Sequence, residues 1–220
     1  MSSSYFHQIF GAAARTLQEQ AGSRNTYAHR EAASDDSRDV LTERELGFLQ
    51  ARDSVYLASV TANGWPYVQH RGGPVGFIQS LGENRIGFCD YPGNRQYVSL
   101  GNVIESGRVA LIAMNYSARQ RLKLIGHAQR IMSADAPEIV RALSHHDAPP
   151  ADVAFVIDVI GFDWNCPKFI TPRFTRAEIE TAVASQIAAE VEREIGPLRE
   201  ENMRLRAELA HLKATDEEAD

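Results

Sequence analysis

The stretch SVYLASVTANGWPYVQHR, residues 54–71, constrains this chain more than any other part. Val55, Leu57 and Ser59 alternate with Tyr56, Ala58 and Val60, the period of two that belongs to a strand with one buried face. Asn63-Gly64 is a strong hairpin signal, because both residues tolerate the positive φ that a tight turn between twisted strands requires. Trp65 to His70 then predicts the returning strand, with Pro66 at its start, where a missing N–H is tolerated. A hairpin alone is marginal in water and needs more strands to cover its apolar face. The chain supplies them in RIGFCD (85–90), RVALIAMNY (108–116), Arg121–Ile131 and ADVAFVIDVIGFDW (151–164). Turn signals separate these segments, as in an antiparallel barrel or sandwich. The helices are few. Thr42 with Glu45 reads as a capping box opening a short amphipathic helix through Leu46 and Leu49. Ala134–His146 reads as helical, and DYPGNRQYVSLGNVIES as a loop running into a short helix. The fold class is therefore mainly β with flanking helices, α+β.

Texture divides the 220 residues into four parts. Residues 1–40 form a polar extension with short amphipathic pieces such as Phe6, Ile9 and Phe10, and carry no recognisable chemistry. Residues 41–172 are the globular domain. Residues 173–213 are a C-terminal helix. In it Ile195, Leu198, Asn202, Leu205, Leu209 and Leu212 recur in steps of three and four, the a and d positions of a coiled coil. Asn202 falls at an a position, which favours a parallel, in-register dimer. Ala184 and Ala188 thin the seam upstream of Val191, and Ile179, Val183 and Ile187 suit packing on the globular body. Gly196-Pro197 is expected to kink or restart the helix. Residues 214–220 are an acidic tail, expected to be disordered.

A formal charge of −6 and a pI near 5.7 argue against a nucleic-acid binder, which needs a basic face. A zipper-type DNA-binding dimer is excluded, because Glu178, Glu180, Glu190, Glu192 and Glu194 stand where the basic region would be. The coil reads instead as a dimer clamp or a docking rod for a protein partner. No apolar run approaches the ~20 residues of a membrane helix, and the N-terminus lacks a signal-peptide pattern, so a cytoplasmic protein is expected. Cys89 and Cys166 have no CxxC or zinc spacing. His145-His146 has no completing ligands beyond Asp147, so no metal site is expected.

Several segments carry groups suited to an anionic, planar ligand. Arg71-Gly72-Gly73 ends a strand, and glycines there let backbone N–H groups approach a ligand. Arg121 and Lys123 alternate on one strand and share a face, where an anion between them would relieve their repulsion. Asn94-Arg95-Gln96 adds donors from a loop. Taken in order, HRGGPVGFIQSL, DYPGNRQYVSLGNV, RVALIAMNYSARQRLKLIGHAQRI and NCPKFI resemble the flavin-nucleotide-binding proteins related to pyridoxamine 5′-phosphate oxidase, over roughly residues 42–172.

That resemblance implies a six-stranded antiparallel split β-barrel and a homodimer with FMN at the subunit interface. It implies that His70, Arg71 and Gly72 lie on the first strand to contact the phosphate and ring, with Gly73 beside them. Cys89 and Asp90 would sit at the strand end facing the flavin, and Asn94, Arg95 and Gln96 in the loop that grips the phosphate. Gln120, Arg121 and Lys123 would form the segment where the oxidase has an Arg-Gln pair. Asn165, Cys166, Pro167 and Lys168 would approach the flavin of the other subunit. Relatives often carry Lys where Arg71 stands, which keeps the charge but not the geometry. The oxidase also ends in a substrate-binding segment rich in Trp, Arg and His, whereas this chain has a coiled coil, so oxidation of pyridoxamine phosphate itself is not implied. The expectation is an FMN-dependent oxidoreductase reduced by a small-molecule donor such as NAD(P)H, with no residue assigned as acid or base. The alternative is a protein that holds flavin, haem or deazaflavin without turnover.

Overall fold

The computed structural model describes residues 3–31, 38–164 and 167–217, with side chains through 209 in the last helix. The chain divides into two compact units, Met1–Pro172 and Arg173–Asp220. In the first, helices α1 (Ser4–Ile9), α2 (Ala12–Gln20), α3 (Arg24–Glu31) and α4 (Glu43–Gln50) precede strands β1 (Ser54–Val60), β2 (Pro66–Gly72), β3 (Gln79–Gly82) and β4 (Arg85–Cys89). Then come α5 (Val98–Glu105), β5 (Arg108–Asn115), β6 (Gln120–Met132), α6 (Pro137–Leu143) and β7 (Val153–Trp164).

The strands form one antiparallel sheet in the order β2-β1-β5-β6-β7-β4-β3. The hairpin is as expected: Val60 pairs with Pro66 across the turn, and Gly64 takes φ +81°. Among the described residues there are seven strands, not the expected six. The addition is β3, inside the glycine-rich break after Arg71. It has four residues, pairs only with β4 and carries a register shift at Ser80/Gly82, so it leaves no alternating apolar pattern to read. The predicted helix over 134–146 is shorter in the structure, spanning Pro137–Leu143.

The sheet curls on itself. The register of β6 on β7 shifts at Ile125/Gly126, and a bulge there increases local twist. A Cβ on Gly126 would lie 2.4 Å from the Asp158 carbonyl oxygen, so only glycine fits that approach. The inward residues Leu57, Leu111, Leu124, Ile157, Phe88 and Phe155 are buried in one core. Phe88 and Phe155 stack at 5.4 Å. Arg71, on the edge strand β2, lies 5.0 Å over the Phe155 ring of β7 and pairs with Asp90, just past β4. The edge strand β2 therefore approaches β7 and the end of β4 without pairing with either, which leaves a split.

Two carboxylates, the buried Glu45 and the part-buried Asp39, fasten the helices to this barrel. Glu45 accepts from the Thr42 N–H at 3.1 Å and the Thr42 hydroxyl at 2.5 Å, the capping interaction read from sequence, and from Trp164 Nε1 at 2.7 Å. Burial pushes its carboxyl up, but these bonds outweigh burial and hold it below the ordinary glutamate value. Asp39 accepts from the Ser3 hydroxyl and the Ser4 and Tyr5 N–H groups at the start of α1, and from Phe162 N on β7. The N-terminal extension is thus packed on the barrel: a Cβ on Gly161 would strike Tyr5 N at 2.4 Å.

The second unit is a single helix, α7 (Arg176–Glu217), continuous through Pro197 rather than restarted there. It runs past the expected boundary at 213 to Glu217; positions 218–220 lie outside the described residues. Among the described residues no helix is long and apolar enough to cross a membrane.

Asp39→Ala removes the shared acceptor of α1 and β7. It should lower stability by about 2–4 kcal/mol, from several part-buried bonds at about 1 kcal/mol each. Urea unfolding measures this, and limited proteolysis should cut within the first 31 residues before the barrel opens.

Candidate functional site

The split between β2 and β4 holds a cavity of about 600 Å³. Its walls are Gln69 to Gly72 on β2, Phe88 to Asp90 at the end of β4, the following loop Tyr91 to Tyr97, Leu100 of α5, and Asp152-Val153 at the start of β7. Strand alternation turns Arg71 inward, half buried, while His70 and Gly72 face the outer side at the rim.

Arg71 is the central charge. Its Nη1 donates to Asp90 Oδ1 at 2.5 Å, with both side chains 15% exposed. Burial pushes the Asp90 carboxyl above the ordinary aspartate range, and Arg71 offsets this only in part. The folded chain therefore holds this proton more tightly than the unfolded chain does. The stability linked to Asp90 is full at acid pH and is lost as the pH rises through the folded value. Arg71 Nε and the Tyr91 hydroxyl are buried with no hydrogen-bond partner among the described residues. Burial also pushes the Tyr91 phenol up, so it stays a donor.

The loop from Tyr91 to Tyr97 has an unusual backbone. Arg95 (φ 60°) and Tyr97 (φ 55°) both take the left-handed conformation, which is uncommon for bulky residues. Tyr97 stands at the N-cap of α5, where no side chain caps the helix and the first turn carries no acid. A helix N-terminus of this kind carries partial positive charge and free N–H groups. Gln69 is held by a hydrogen bond from the Ser99 hydroxyl at 2.9 Å, which ties β2 to α5.

Of the residues expected from sequence, the cavity gathers His70, Arg71, Gly72, Cys89, Asp90, Asn94, Arg95 and Gln96. Cys89 points its thiol away, towards the Val140 carbonyl (3.7 Å) and the Ser144 hydroxyl (3.8 Å) of the α6 region. Burial pushes that thiol up, so it serves as packing. Gly73 lies outside the cavity lining. It is a packing position, where a Cβ would meet Phe77 Cβ at 2.7 Å. Gln120, Arg121 and Lys123 lie outside the lining too. Lys123 finds its anion in its own chain, Asp163 at 3.2 Å, which removes the argument that an external anion must relieve the strand's charge. Pro167 and Lys168 are exposed, with Lys168 over the Phe169 ring, and Asn165 and Cys166 lie outside the described residues. Sequence reasoning did not find Tyr91, Tyr97 or Asp152. The first two flank the chosen loop residues, and the third arrives only through the pairing that places Asp90 N 2.8 Å from Val153 O.

His145, His146 and Asp147 are the described group able to offer ligand atoms within 4.8 Å of one another. His145 Nδ1 accepts from Asp147 N at 3.1 Å, which leaves Nε2 as the ring's available ligand atom.

A family model described as pyridoxamine 5′-phosphate oxidase matches residues 41–160, more than half of the chain. The chain belongs to this family. The family segment ends within β7 and takes in the whole cavity lining. Among solved structures, HupZ of Group A Streptococcus is 10% identical with a TM-score of 0.47, covering 61% of this chain and 100% of its own. An FMN-binding protein from Syntrophomonas wolfei is 12% identical with a TM-score of 0.42, covering 69% and 97%. General stress protein 26 of Bacillus anthracis is 12% identical with a TM-score of 0.41, covering 59% and 93%. At such scores these likenesses assign no function to this family member. No curated protein matches the chain.

Arg71→Met leaves the Asp90 carboxylate buried alone. It should lower stability by about 3 kcal/mol at pH 8, the low end for breaking a buried pair. The loss should shrink as the pH falls, because the raised Asp90 carboxyl takes up its proton earlier than an ordinary aspartate. Urea unfolding of both proteins at pH 8 and at acid pH measures this.

Proposed function

We propose that the cavity in the split binds FMN and that the protein is an FMN-dependent oxidoreductase. The observation that carries this reading is the mixed lining of the cavity. It gathers Arg95, Gln96 and the uncapped start of α5, the orphan Nε of Arg71 and hydroxyl of Tyr91, and the apolar Phe88 and Leu100. A dianionic phosphate suits Arg95, Gln96 and the start of α5. Arg71 is already compensated by Asp90, so the phosphate would fall to Arg95 and the loop N–H groups. The carbonyl and ring-nitrogen acceptors of a flavin suit Arg71 Nε and the Tyr91 hydroxyl.

When bound, the flavin supplies the redox chemistry as hydride acceptor, with NAD(P)H the donor class we expect. The chain's own part is to orient the ring and to set the charge beside it through the Arg71–Asp90 pair. No side chain is assigned as a proton donor or acceptor.

We further propose a homodimer in which Gln120 and Arg121 complete the site of the second subunit. This is supported by an outward band of Tyr56, Val60 and Val68, 38–60% exposed, which continues through Ile112. Arg121 Nε is also buried without a partner.

The test is a titration with FMN and with riboflavin, followed by visible spectra. FMN should bind at least about tenfold more tightly than riboflavin, and Arg95→Ala should remove most of that preference while leaving riboflavin unchanged. Anaerobic NAD(P)H should bleach the bound flavin. Bound flavin that no donor bleaches would favour a carrier, and no uptake at all would sink the site.

A further inference from the structure

The apolar stripe of α7 stands in solvent: Ile195, Leu198, Leu205 and Leu209 are 39–63% exposed. A helix draws most of its stability from packing such a stripe, and this one also carries Gly196-Pro197 in its interior. With Ile195, Asn202 and Leu209 at a, and Leu198, Leu205 and Leu212 at d, the remaining positions are fixed. Glu194, Glu201 and Glu208 fall at g, and Arg199, Arg206 and Lys213 fall at e. Gly196 and Pro197 fall at b and c, on the outer side, where the proline ring would not enter the seam.

We propose that the occupant of this stripe is the same segment of a second copy, paired as a parallel, in-register, two-stranded coiled coil. In a parallel pair each g residue faces the e residue of the next heptad on its partner. Glu194 then meets Arg199, Glu201 meets Arg206 and Glu208 meets Lys213, each contact made twice by symmetry. Every one of these contacts is attractive. In an antiparallel pair g faces g and e faces e, so glutamate meets glutamate and arginine meets arginine. Charge complementarity thus selects one orientation. Asn202 selects the register: sliding the helices by one heptad sets its amide against Ile195 or Leu209, buried and unpaired. Ile195 at a with Leu at every d favours two strands over three. The intrachain pairs from Glu190 onwards in this helix, Glu190 with Arg193, Glu192 with Arg199 and Glu201 with Arg204, are all exposed and weak, so they do not hold these side chains back.

The test uses the full chain carrying Leu205→Cys, mildly oxidised beside the wild type, with the disulfide identified by peptide mass spectrometry. A parallel in-register pair brings the two residues 205 together, and most of the chain should become a 205–205 dimer. Adding Glu194→Lys, Glu201→Lys and Glu208→Lys should lower that product at least tenfold. Mixing this variant with Leu205→Cys carrying Arg199→Glu, Arg206→Glu and Lys213→Glu should restore it as a heterodimer. Overturning results would be no 205–205 product from the single variant, a product indifferent to the charge reversals, or a 198–209 disulfide when Leu198→Cys and Leu209→Cys chains are mixed, which sets a d position against an a position and marks an antiparallel pair. Sedimentation of the same samples separates this from the barrel: a dimer mass without the 205–205 bond would overturn the coil and leave barrel pairing standing.

Discussion

The Arg71–Asp90 pair spans the place where the sheet does not close, and much of the first unit is arranged around that gap. A seven-stranded sheet whose edges hydrogen-bonded would leave no opening, and its interior would be filled by side chains like Phe88 and Phe155. Here the edge strand β2 is held at side-chain distance from the end of β4 by a charge pair resting on the Phe155 face. The arrangement keeps polar groups inside an otherwise apolar barrel, at an electrostatic cost visible in the raised Asp90 carboxyl. A structure that needed only stability would do better with a hydrophobic pair in the same volume. The retained charges, together with the occluded donors on Arg71 and Tyr91, are the physical reason to look for a ligand there and not at the outer face.

The same logic explains why the loop after β4 is strained where it is. Left-handed Arg95 and Tyr97 lie in the cavity lining, immediately before the uncapped start of α5. Such conformations persist only where the surroundings enforce them. Ser99, buried and bonded to Gln69, anchors α5 to β2, so the loop is pinned at both ends, by β4 behind and by β2 across the opening.

Much of this was legible in the sequence because the signals are local. The hairpin at Asn63-Gly64, the Thr42–Glu45 cap, the long apolar strands and the heptads all express short-range periodicity or turn chemistry. What escaped was set by tertiary pairing. β3 is too short and too polar to alternate, and it forms because β4 offers an edge. Asp152 reaches the cavity through the β4–β7 register. Lys123 read as an anion ligand because its partner, Asp163, is forty residues away in sequence and adjacent only in the sheet, where the two are directly paired. Asp39 gave no signal for the same reason: its bonds to α1 and β7 depend on where the extension lands.

Two modes of self-association would reinforce each other through mass action. As proposed, an exposed apolar band on a barrel face and a helix of about three heptads would each be a modest interface, and Asn202 would lower the stability of the second while sharpening its register. If both join the same two chains, the second contact forms intramolecularly. Its strength is then governed by an effective concentration set by the connecting segment and not by the protein concentration. The parallel orientation matters for this, because it places the two N-terminal ends of α7 side by side and so allows both barrels to belong to one closed pair. An antiparallel helix pair would hold those ends a helix length apart, about 60 Å for 42 residues at 1.5 Å each. In the proposed pair the charge pattern at g and e would do for the two chains what Asn202 would do for the seam: add little binding energy and remove the arrangements in which the two contacts would compete.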